Sequence, residues 1–280
     1  MLMKNLLLFT VIILVSCNTN RYIYSASSPN NPYFTKKGES KLTGYYSTIG
    51  KSHSSVNSAD LSSQNNRTGS SGGWDLQGGY AFSNHFSLIG DYYSKNEEDF
   101  YTNSENFSPF NSSTVKYNRH LFETGAGYFI ALNPKKTITF NFYAGIGGGK
   151  FSFDDHGIDS GNHSYTRYHR ANITKWFLQP SFNFMPGNYV RFSFVLKRSF
   201  VHYGNIHTSY TAVELSDFSL DHLSNETLSF FEPALNIQFG LPAYPWIKLD
   251  LMESVAAGDP FYTNSIRYAN LSVGLTVEFN

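Results

Sequence analysis

The sequence predicts an all-β fold: a closed, antiparallel, up-and-down transmembrane β-barrel of about ten strands. Three observations lead to this prediction. Segments with apolar residues at every second position recur from residue 39 to the end of the chain. The connections between these segments are alternately short and long. The composition combines 17% aromatic residues with only 15% charged residues and a mean hydropathy of -0.31.

The first residues of the chain predict export from the cytoplasm. An apolar stretch from Leu6 to Val15 follows a short basic start, and it is too short to span a bilayer as a helix. A small residue and Cys17 come next, so residues 1–16 have the layout of a secretory signal peptide. Residues 17–38, rich in Ser, Asn and Pro, predict an extended tether ahead of a barrel formed by residues 39–280. The position of this tether, inside the lumen or in the periplasm, stays open.

The composition excludes several classes of protein. After the signal peptide no stretch approaches the roughly 18 consecutive apolar residues that a membrane-spanning helix needs. The 21 Lys and Arg residues balance the 21 Asp and Glu residues without any basic block, so nucleic acid is not an expected partner. Cys17 is the only cysteine, which excludes an intrachain disulfide. No cofactor is expected.

Ten segments after residue 39 have the two-residue periodicity of strands. In the second of them Trp74 and Leu76 share one face, while Asp75 and Gln77 take the other. Phe129, Phe177, Pro180 and Arg267 break the alternation and predict local bulges or interface positions. The predicted strands are Lys41–Ile49, Trp74–Phe82, Phe86–Tyr93, Tyr117–Ala131, Thr137–Phe151, Ile173–Phe184, Tyr189–Val201, Leu228–Phe239, Ile247–Met252 and Ile266–Phe279.

The connections between the predicted strands differ systematically in length. Short turns and long loops alternate along the whole chain, as in outer-membrane barrels with short periplasmic turns and long outer loops. Closure of such a barrel leaves no unpaired strand edge in lipid. The short connections are residues 83–85, 133–136, 186–188 and 241–245, and the long ones are residues 50–73, 94–116, 152–172, 202–227 and 253–265.

Two motifs carry a resemblance to known proteins. Leu14-Val15-Ser16-Cys17 resembles the lipobox of bacterial lipoproteins, which implies cleavage before Cys17 and lipid attached to that residue. Leu271–Phe279 resembles the C-terminal strand of outer-membrane proteins, although Asn280 follows the terminal aromatic residue. Residues 39–280 as a whole resemble the small bacterial outer-membrane β-barrel proteins, particularly lipidated ones.

The resemblance implies a location in the bacterial outer membrane, with a lipidated N-terminus on the periplasmic side. It also implies contact with outer-membrane lipids and recognition of the C-terminal strand by the outer-membrane assembly machinery. The long loops allow binding of an extracellular ligand. Aromatic residues near the predicted strand ends and in the tether are interpreted as lipid-contacting girdles: Tyr22, Tyr24, Tyr33, Tyr45, Tyr46, Tyr92, Tyr93, Trp74, Trp176 and Trp246.

If the apolar faces meet lipid, the opposite faces fill the lumen. These faces carry charges of both signs, and buried charges need partners. We therefore predict a paired polar network, because small barrels have interiors close to the size that side chains fill. A narrow polar conduit is the alternative. The predicted lumen network comprises Asp75, Asp91, Glu123, Arg191, Lys197, Glu232, Lys248 and Asp250, with Lys175 and Glu278 on the same faces.

Candidate catalytic and metal-binding groups are few. Asp154-Asp155-His156 is the nearest match to an acid–base pair, followed by His202, His207, Glu214 and Asp217. His163 with His169, or His202 with His207, has only a loose metal-ligand spacing. We predict neither a catalytic nor a metal site. The predicted function is that of a non-enzymatic outer-membrane barrel lipoprotein with a structural or surface-interaction role. The alternatives are a narrow channel for small solutes and a rim hydrolase of the protease or lipid A deacylase type.

Overall fold

A computed structural model of the chain describes residues 21–49, 66–102, 110–159, 161–187, 189–258 and 265–279. The predicted signal peptide, residues 1–16, and Cys17 lie outside this part of the chain. The described strands are β1 (Tyr22–Ser25), β2 (Ser40–Ile49), β3 (Asn66–Ala81), β4 (Phe86–Thr102), β5 (Phe110–Ala131), β6 (Ile138–Asp159), β7 (Ser164–Phe184), β8 (Val190–Thr208), β9 (Thr227–Leu241), β10 (Tyr244–Val255), β11 (Ser265–Arg267) and β12 (Ala269–Phe279).

Ten of these strands form a closed antiparallel barrel, which confirms the predicted fold. Strands β2 to β10 pair in chain order, β12 pairs with β10, and β12 returns to β2. At the closing seam Val273 of β12 lies opposite Tyr46 of β2. The ring therefore has no edge strand, which is the condition for a sheet to cross a lipid bilayer. Among the described residues no helix is long and apolar enough to span a membrane.

The two ends of the barrel differ. Residues 82–85, 132–137 and 242–243 and the link between β7 and β8 are short connections at one end, here called the turn end. At the other end, here called the loop end, 18 residues connect β8 to β9, but only four connect Asp159 of β6 to Ser164 of β7, where a long loop was predicted. A helix, α1 (Ala212–Asp217), lies in the connection between β8 and β9, where Thr211 caps its first turn. Phe218, Leu220 and Leu223 of the same connection are buried in the aromatic cluster inside the loop end, so this connection covers the lumen.

Large apolar side chains are exposed on the outside of the barrel in a continuous band, here called the apolar belt. Leu76 and Leu275 are each more than half exposed within it. A surface of this size and character fits the hydrocarbon layer of a bilayer. The belt includes Leu42, Trp74, Leu76, Phe82, Leu88, Phe122, Phe142, Ile146, Trp176, Phe182, Phe192, Leu235, Trp246, Leu249, Leu271 and Leu275.

Strands β4 to β8 continue well beyond the apolar belt, so the predicted loops 94–116 and 152–172 were too long. Strand β6 has 22 residues, which at about 3.3 Å per residue and a tilt of about 40° rise about 55 Å. Beyond Ile146 its outward positions are Gly or polar as far as His156, while Phe151 and Phe153 stay buried inside. The alternation of apolar residues therefore changes sides at this height, which shortened the predicted strands.

Two predicted irregularities were wrong. Phe129 and Phe177 point into the lumen from strands of regular register and fill space there. Phe129 packs edge-on against Phe34 at 5.8 Å between ring centroids. A Cβ atom at Gly145 would lie 2.5 Å from the Phe177 ring. Glycine is therefore needed at this position of β6, where the ring packs against the inner face of the sheet. The register shift in β7 instead falls between Arg170 and Asn172.

Residues 21–34, here called the lumen segment, run through the inside of the barrel from the loop end to the turn end. Strand β1 of this segment pairs in parallel with β11, which itself lies inside the loop end. The described part of the predicted tether, from Arg21 to Phe34, therefore lies in the lumen. Several of the predicted girdle tyrosines also face the lumen rather than lipid, because they lie in this segment or on inward strand positions: Tyr22, Tyr24, Tyr45 and Tyr93.

Candidate functional site: the filled lumen

At the loop end, Asp155 of β6 anchors the start of the lumen segment. Its carboxylate binds the Arg21 guanidinium, with Nη2 at 2.6 Å and Nε at 3.1 Å from Oδ2. Tyr210 donates a hydrogen bond to Oδ2 at 2.6 Å, and Ser113 donates one to Oδ1. The Arg21 guanidinium also lies 4.3 Å from the centre of the Phe218 ring. The Arg21 and Asp155 side chains are almost fully buried. Each charge is therefore stabilised by the other, and removal of one would leave the other buried without a counter-charge.

The Tyr165 and Tyr210 hydroxyls border this anchor in the part of the barrel beyond the apolar belt. Burial and the neighbouring Asp155 carboxylate raise the pKa of Tyr165 to about 12. Burial also raises the pKa of Tyr210 far above its usual range. Both phenols therefore stay neutral and act as hydrogen-bond donors to the carboxylate.

A second charged layer lies just inside the first. Glu97 binds both Arg119 and Arg267, and Arg267 Nη2 lies 2.7 Å from Asp99 Oδ1. Arg119 also donates a hydrogen bond to the backbone carbonyl of Tyr22 at 3.0 Å. These contacts connect two strands of the wall with the short strand β11 and with the lumen segment.

The middle of the lumen holds a compact group of carboxylates and ammonium groups. Glu123 lies between two lysines, with Lys175 Nζ at 2.7 Å and Lys197 Nζ at 2.5 Å from its oxygens. Glu232 lies 3.6 Å from Lys175. Lys175 also donates a hydrogen bond to the Tyr24 hydroxyl of the lumen segment at 2.9 Å.

Below this group, short polar side chains join the lumen segment to the wall. Ser28 donates a hydrogen bond to Asp75 at 2.6 Å, and its Oγ lies 2.6 Å from Ser272 Oγ. The Asn30 amide donates to the backbone carbonyls of β3 and β4, each at 2.8 Å. The Asn31 amide donates to Asn183 at 2.7 Å. The segment is therefore bound on several sides of the barrel.

The turn end is closed by a fourth charged layer. Arg191 Nη1 lies 2.6 Å from Glu278 Oε1, and Lys248 binds the other oxygen of the same carboxylate. The Arg191 guanidinium lies 4.0 Å from the centre of the Tyr33 ring. Asp250 accepts hydrogen bonds from Gln238 at 2.5 Å and Thr276 at 2.8 Å.

The structure places all the residues of the predicted lumen network inside the barrel. Most of them form the pairs described above, whereas neither carboxylate oxygen of Asp91 accepts a hydrogen bond from the described residues. A gap between Asp91, Asn30 and Lys197 has no room for a water molecule. The charged residues toward the loop end were missed because most of them lie in the lumen segment, in β11 or in the parts of strands beyond the apolar belt: Arg21, Lys95, Glu97, Asp99, Arg119, Asp155 and Arg267.

The candidate catalytic grouping 154–156 is not brought together. Successive residues of a strand point to opposite faces, so Asp155 lies inside the barrel while Asp154 and His156 lie outside. His156 is hydrogen-bonded to Thr166 at 3.2 Å, and Asp154 lies 3.9 Å from Arg170. Asp155 is instead the anchor of Arg21.

The other candidate groups are also separate. Glu214 binds Arg167 at 3.2 Å and caps helix α1. His202 lies 3.2 Å from the Glu226 carbonyl. His169 is buried and stacks on Phe153 at 5.3 Å, while His163 is exposed. Among the described residues no group of three or more His, Cys, Asp or Glu side chains could hold a metal ion.

Comparisons with known proteins agree with the fold. No protein-family model matches the sequence, and no curated protein sequence matches it either. The structure is similar to the translocator domain of the autotransporter NalP from Neisseria meningitidis, with a TM-score of 0.52 and 9% identity over 87% of this chain and 88% of that one.

Two further solved structures are more distant. An outer-membrane channel from Pseudomonas putida F1 has a TM-score of 0.43 and 9% identity over 91% of this chain and 100% of that one. The outer-membrane protease OmpT from Escherichia coli has a TM-score of 0.43 and 9% identity over 89% of this chain and 99% of that one. The fold of this chain is that of bacterial outer-membrane β-barrels.

Proposed function

We propose that this protein is a non-enzymatic outer-membrane barrel that its own lumen segment keeps closed, and that it acts in envelope structure or through contacts at its loop end. The apolar belt faces membrane lipid, the turn end faces the periplasm and the loop end faces the cell surface. Lipid on Cys17 and recognition of β12 by the assembly machinery belong to the same proposal.

The observation that carries this proposal is the continuous occupation of the lumen. The lumen segment contacts the wall from Arg21 at the loop end to Phe34 near the turn end. Charged layers of the wall lie above, beside and below it. A buried charge that lost its partner would cost several kcal/mol, so the segment and the wall stabilise each other. This arrangement favours a closed barrel over a solute channel.

The geometry gives no support to a rim hydrolase. A general base must lie within hydrogen-bond reach of the group from which it takes a proton. Asp155 is instead occupied by Arg21, Ser113 and Tyr210, and the adjacent His156 lies on the opposite face of the sheet. The pattern that suggested chemistry in the sequence is a structural anchor.

The wall beyond the apolar belt provides a surface for contacts outside the membrane. Strands β4 to β8 rise above the belt and turn polar side chains outward, such as Lys116, His120, Lys150 and Arg170. A rigid, fully paired sheet presents such groups at fixed positions and loses little conformational entropy on binding. This shape supports a surface-interaction role.

Conductance in planar lipid bilayers tests the proposal. The purified protein should insert without producing steady conductance steps. A variant that lacks residues 21–31 should conduct, provided that its heat-modifiable migration on a gel shows a folded barrel. The variant Asp154→Asn, which changes only the outer face, should stay silent and serves as the matched control.

The possible results separate the competing functions. Steady conductance by the unaltered protein would contradict the closed barrel and favour the channel. Silence of a folded variant that lacks residues 21–31 would show that wall side chains, and not the lumen segment, close the barrel.

A further inference from the structure

The direction of the lumen segment has a consequence for the N-terminus of the chain. Arg21 is at the loop end, bound to Asp155, and Phe34 is at the other end of the lumen, packed on Phe129. Between them the contacts with the wall follow the chain order, through Tyr24 with Lys175 and Ser28 with Asp75. The chain therefore descends from the loop end to the turn end before it enters β2.

We propose that the chain ahead of Arg21 leaves the barrel at the loop end, so that Cys17 lies on the cell-surface side of the outer membrane. The lipoprotein resemblance implied the opposite, periplasmic side, and the new position rests on the proposed membrane orientation. The proposal goes beyond the closed lumen and concerns which leaflet can receive the N-terminus.

The lengths involved exclude a periplasmic position for Cys17. Strand β6 starts at the turn end with Ile138, and Asp155 lies 155 − 138 = 17 residues further along. At about 3.3 Å per residue and a tilt of about 40°, this is a height of about 40 Å. Cys17 lies four positions before Arg21, and four residue steps span at most about 14 Å. The N-terminus therefore cannot reach the turn end while the lumen segment is in place.

Among the described strands the wall is lowest on one side of the loop end. Strands β10 and β12 end at Val255 and Ala269, close to the upper limit of the apolar belt, whereas β6 and β7 extend far above it. Lipid on a cysteine at this end of the barrel would enter the outer leaflet rather than the inner one.

Assembly of this arrangement needs no passage of a lipid through a finished barrel. The ring closes only when β12, at the end of the chain, pairs with β2. The lumen segment immediately precedes β2, so it can lie beside the open sheet and be enclosed at this last step. Burial of Arg21 against Asp155 then fixes the N-terminus at the loop end.

Cysteine labelling on whole cells tests the proposal. Asn20→Cys places a thiol next to Arg21, His163→Cys marks the exposed loop end, and Lys135→Cys marks the turn end. A membrane-impermeant maleimide is applied to intact and to permeabilised cells, and the parent protein gives the background from Cys17. We expect N20C to react on intact cells as strongly as H163C, and K135C to react only after permeabilisation.

Three results would overturn the proposal. N20C could react only after permeabilisation, as K135C is expected to do, or stay protected in both states and react only after unfolding. Labelling of H163C only after permeabilisation would also overturn it, and would show in addition that the proposed membrane orientation is reversed. The first two results would not contradict a closed lumen. The conductance test of the proposed function and the labelling test of the N-terminus can therefore fail independently.

Discussion

Arg21 and Asp155, 134 positions apart in the chain, form a buried ion pair with 2.6 Å between Nη2 and Oδ2. The pair joins the start of the lumen segment to the part of β6 that lies beyond the apolar belt. Ser113 and Tyr210 also donate hydrogen bonds to the carboxylate. This contact holds the segment at the loop end, so the closed lumen and the position of the N-terminus depend on the same residues.

Removal of the Asp155 charge should destabilise the barrel. Asp155→Asn leaves the buried Arg21 guanidinium without its counter-charge, which costs about 3 kcal/mol or more. The measurement is the free energy of unfolding from urea titration in detergent micelles. Asp154→Asn, one residue away on the outer face, should change it by less than about 0.5 kcal/mol. Equal stability of the two variants would show that Asp155 does not anchor the segment.

Glu123 is expected to be the most sensitive carboxylate of the middle layer. Glu123→Gln removes the charge that lies between Lys175 and Lys197, and the loss should again be about 3 kcal/mol. Glu98→Gln on the exposed face of β4 is the matched control and should unfold like the parent protein. A parent-like unfolding midpoint for E123Q would mean that the two lysines are not buried as described.

The depth of an exposed apolar residue should decide the cost of a charge there. Leu275→Lys places an ammonium group near the middle of the apolar belt, and we expect a loss of about 2–4 kcal/mol when the protein unfolds from lipid vesicles. Ile158→Lys introduces the same charge at an exposed apolar position beyond the belt, where it should cost little. If both variants lose the same free energy, the belt is not the lipid contact.

His169 should make stability depend on pH. It lies in β7 beyond the apolar belt, where burial lowers its pKa to about 4 from an ordinary value of 6.5. As the pH falls from 6.5 to 4, the unfolded chain binds a proton that the folded protein does not bind, so the folded state loses up to about 3 kcal/mol. His169→Phe should remove this part of the acid sensitivity because the ring contact with Phe153 can be kept.

The control for this experiment is His163→Phe, since His163 is exposed at the loop end. Unfolding midpoints measured between pH 7 and pH 4 should fall in parallel for H163F and the parent protein, and less steeply for H169F. Parallel curves for all three proteins would show that His169 is accessible to protons in the folded state.

The sequence was sufficient to predict the barrel because its signal depends on the solvent on each side of the sheet. Where lipid lies outside and packed polar groups lie inside, apolar and polar residues alternate, as in Trp74 to Phe82. Beyond the belt, water lies outside and an aromatic core lies inside. The alternation then changes sides, as at Phe151 and Phe153, and the predicted strands ended too early.

The lumen segment was harder to predict. Ser28, Asn30 and Asn31 suit a solvated tether, and they equally suit a buried segment that is hydrogen-bonded to a surrounding wall. Only the three-dimensional arrangement separates these two readings. Within the belt region, the alternation of apolar and polar residues predicted which charged side chains point inward. Their pairing across the lumen depends instead on which strands face each other.

A cysteine pair tests the central claim, the position of the lumen segment inside the barrel, most directly. Ser28 Oγ and Ser272 Oγ lie 2.6 Å apart, so Ser28→Cys with Ser272→Cys should form a disulfide on oxidation in the folded protein. Ser113 lies at the far end of the segment, beside Arg21, so Ser28→Cys with Ser113→Cys should not. Efficient cross-linking of the first pair alone is the predicted result. Failure of the first pair to cross-link in a folded barrel would contradict a lumen filled by residues 21–34.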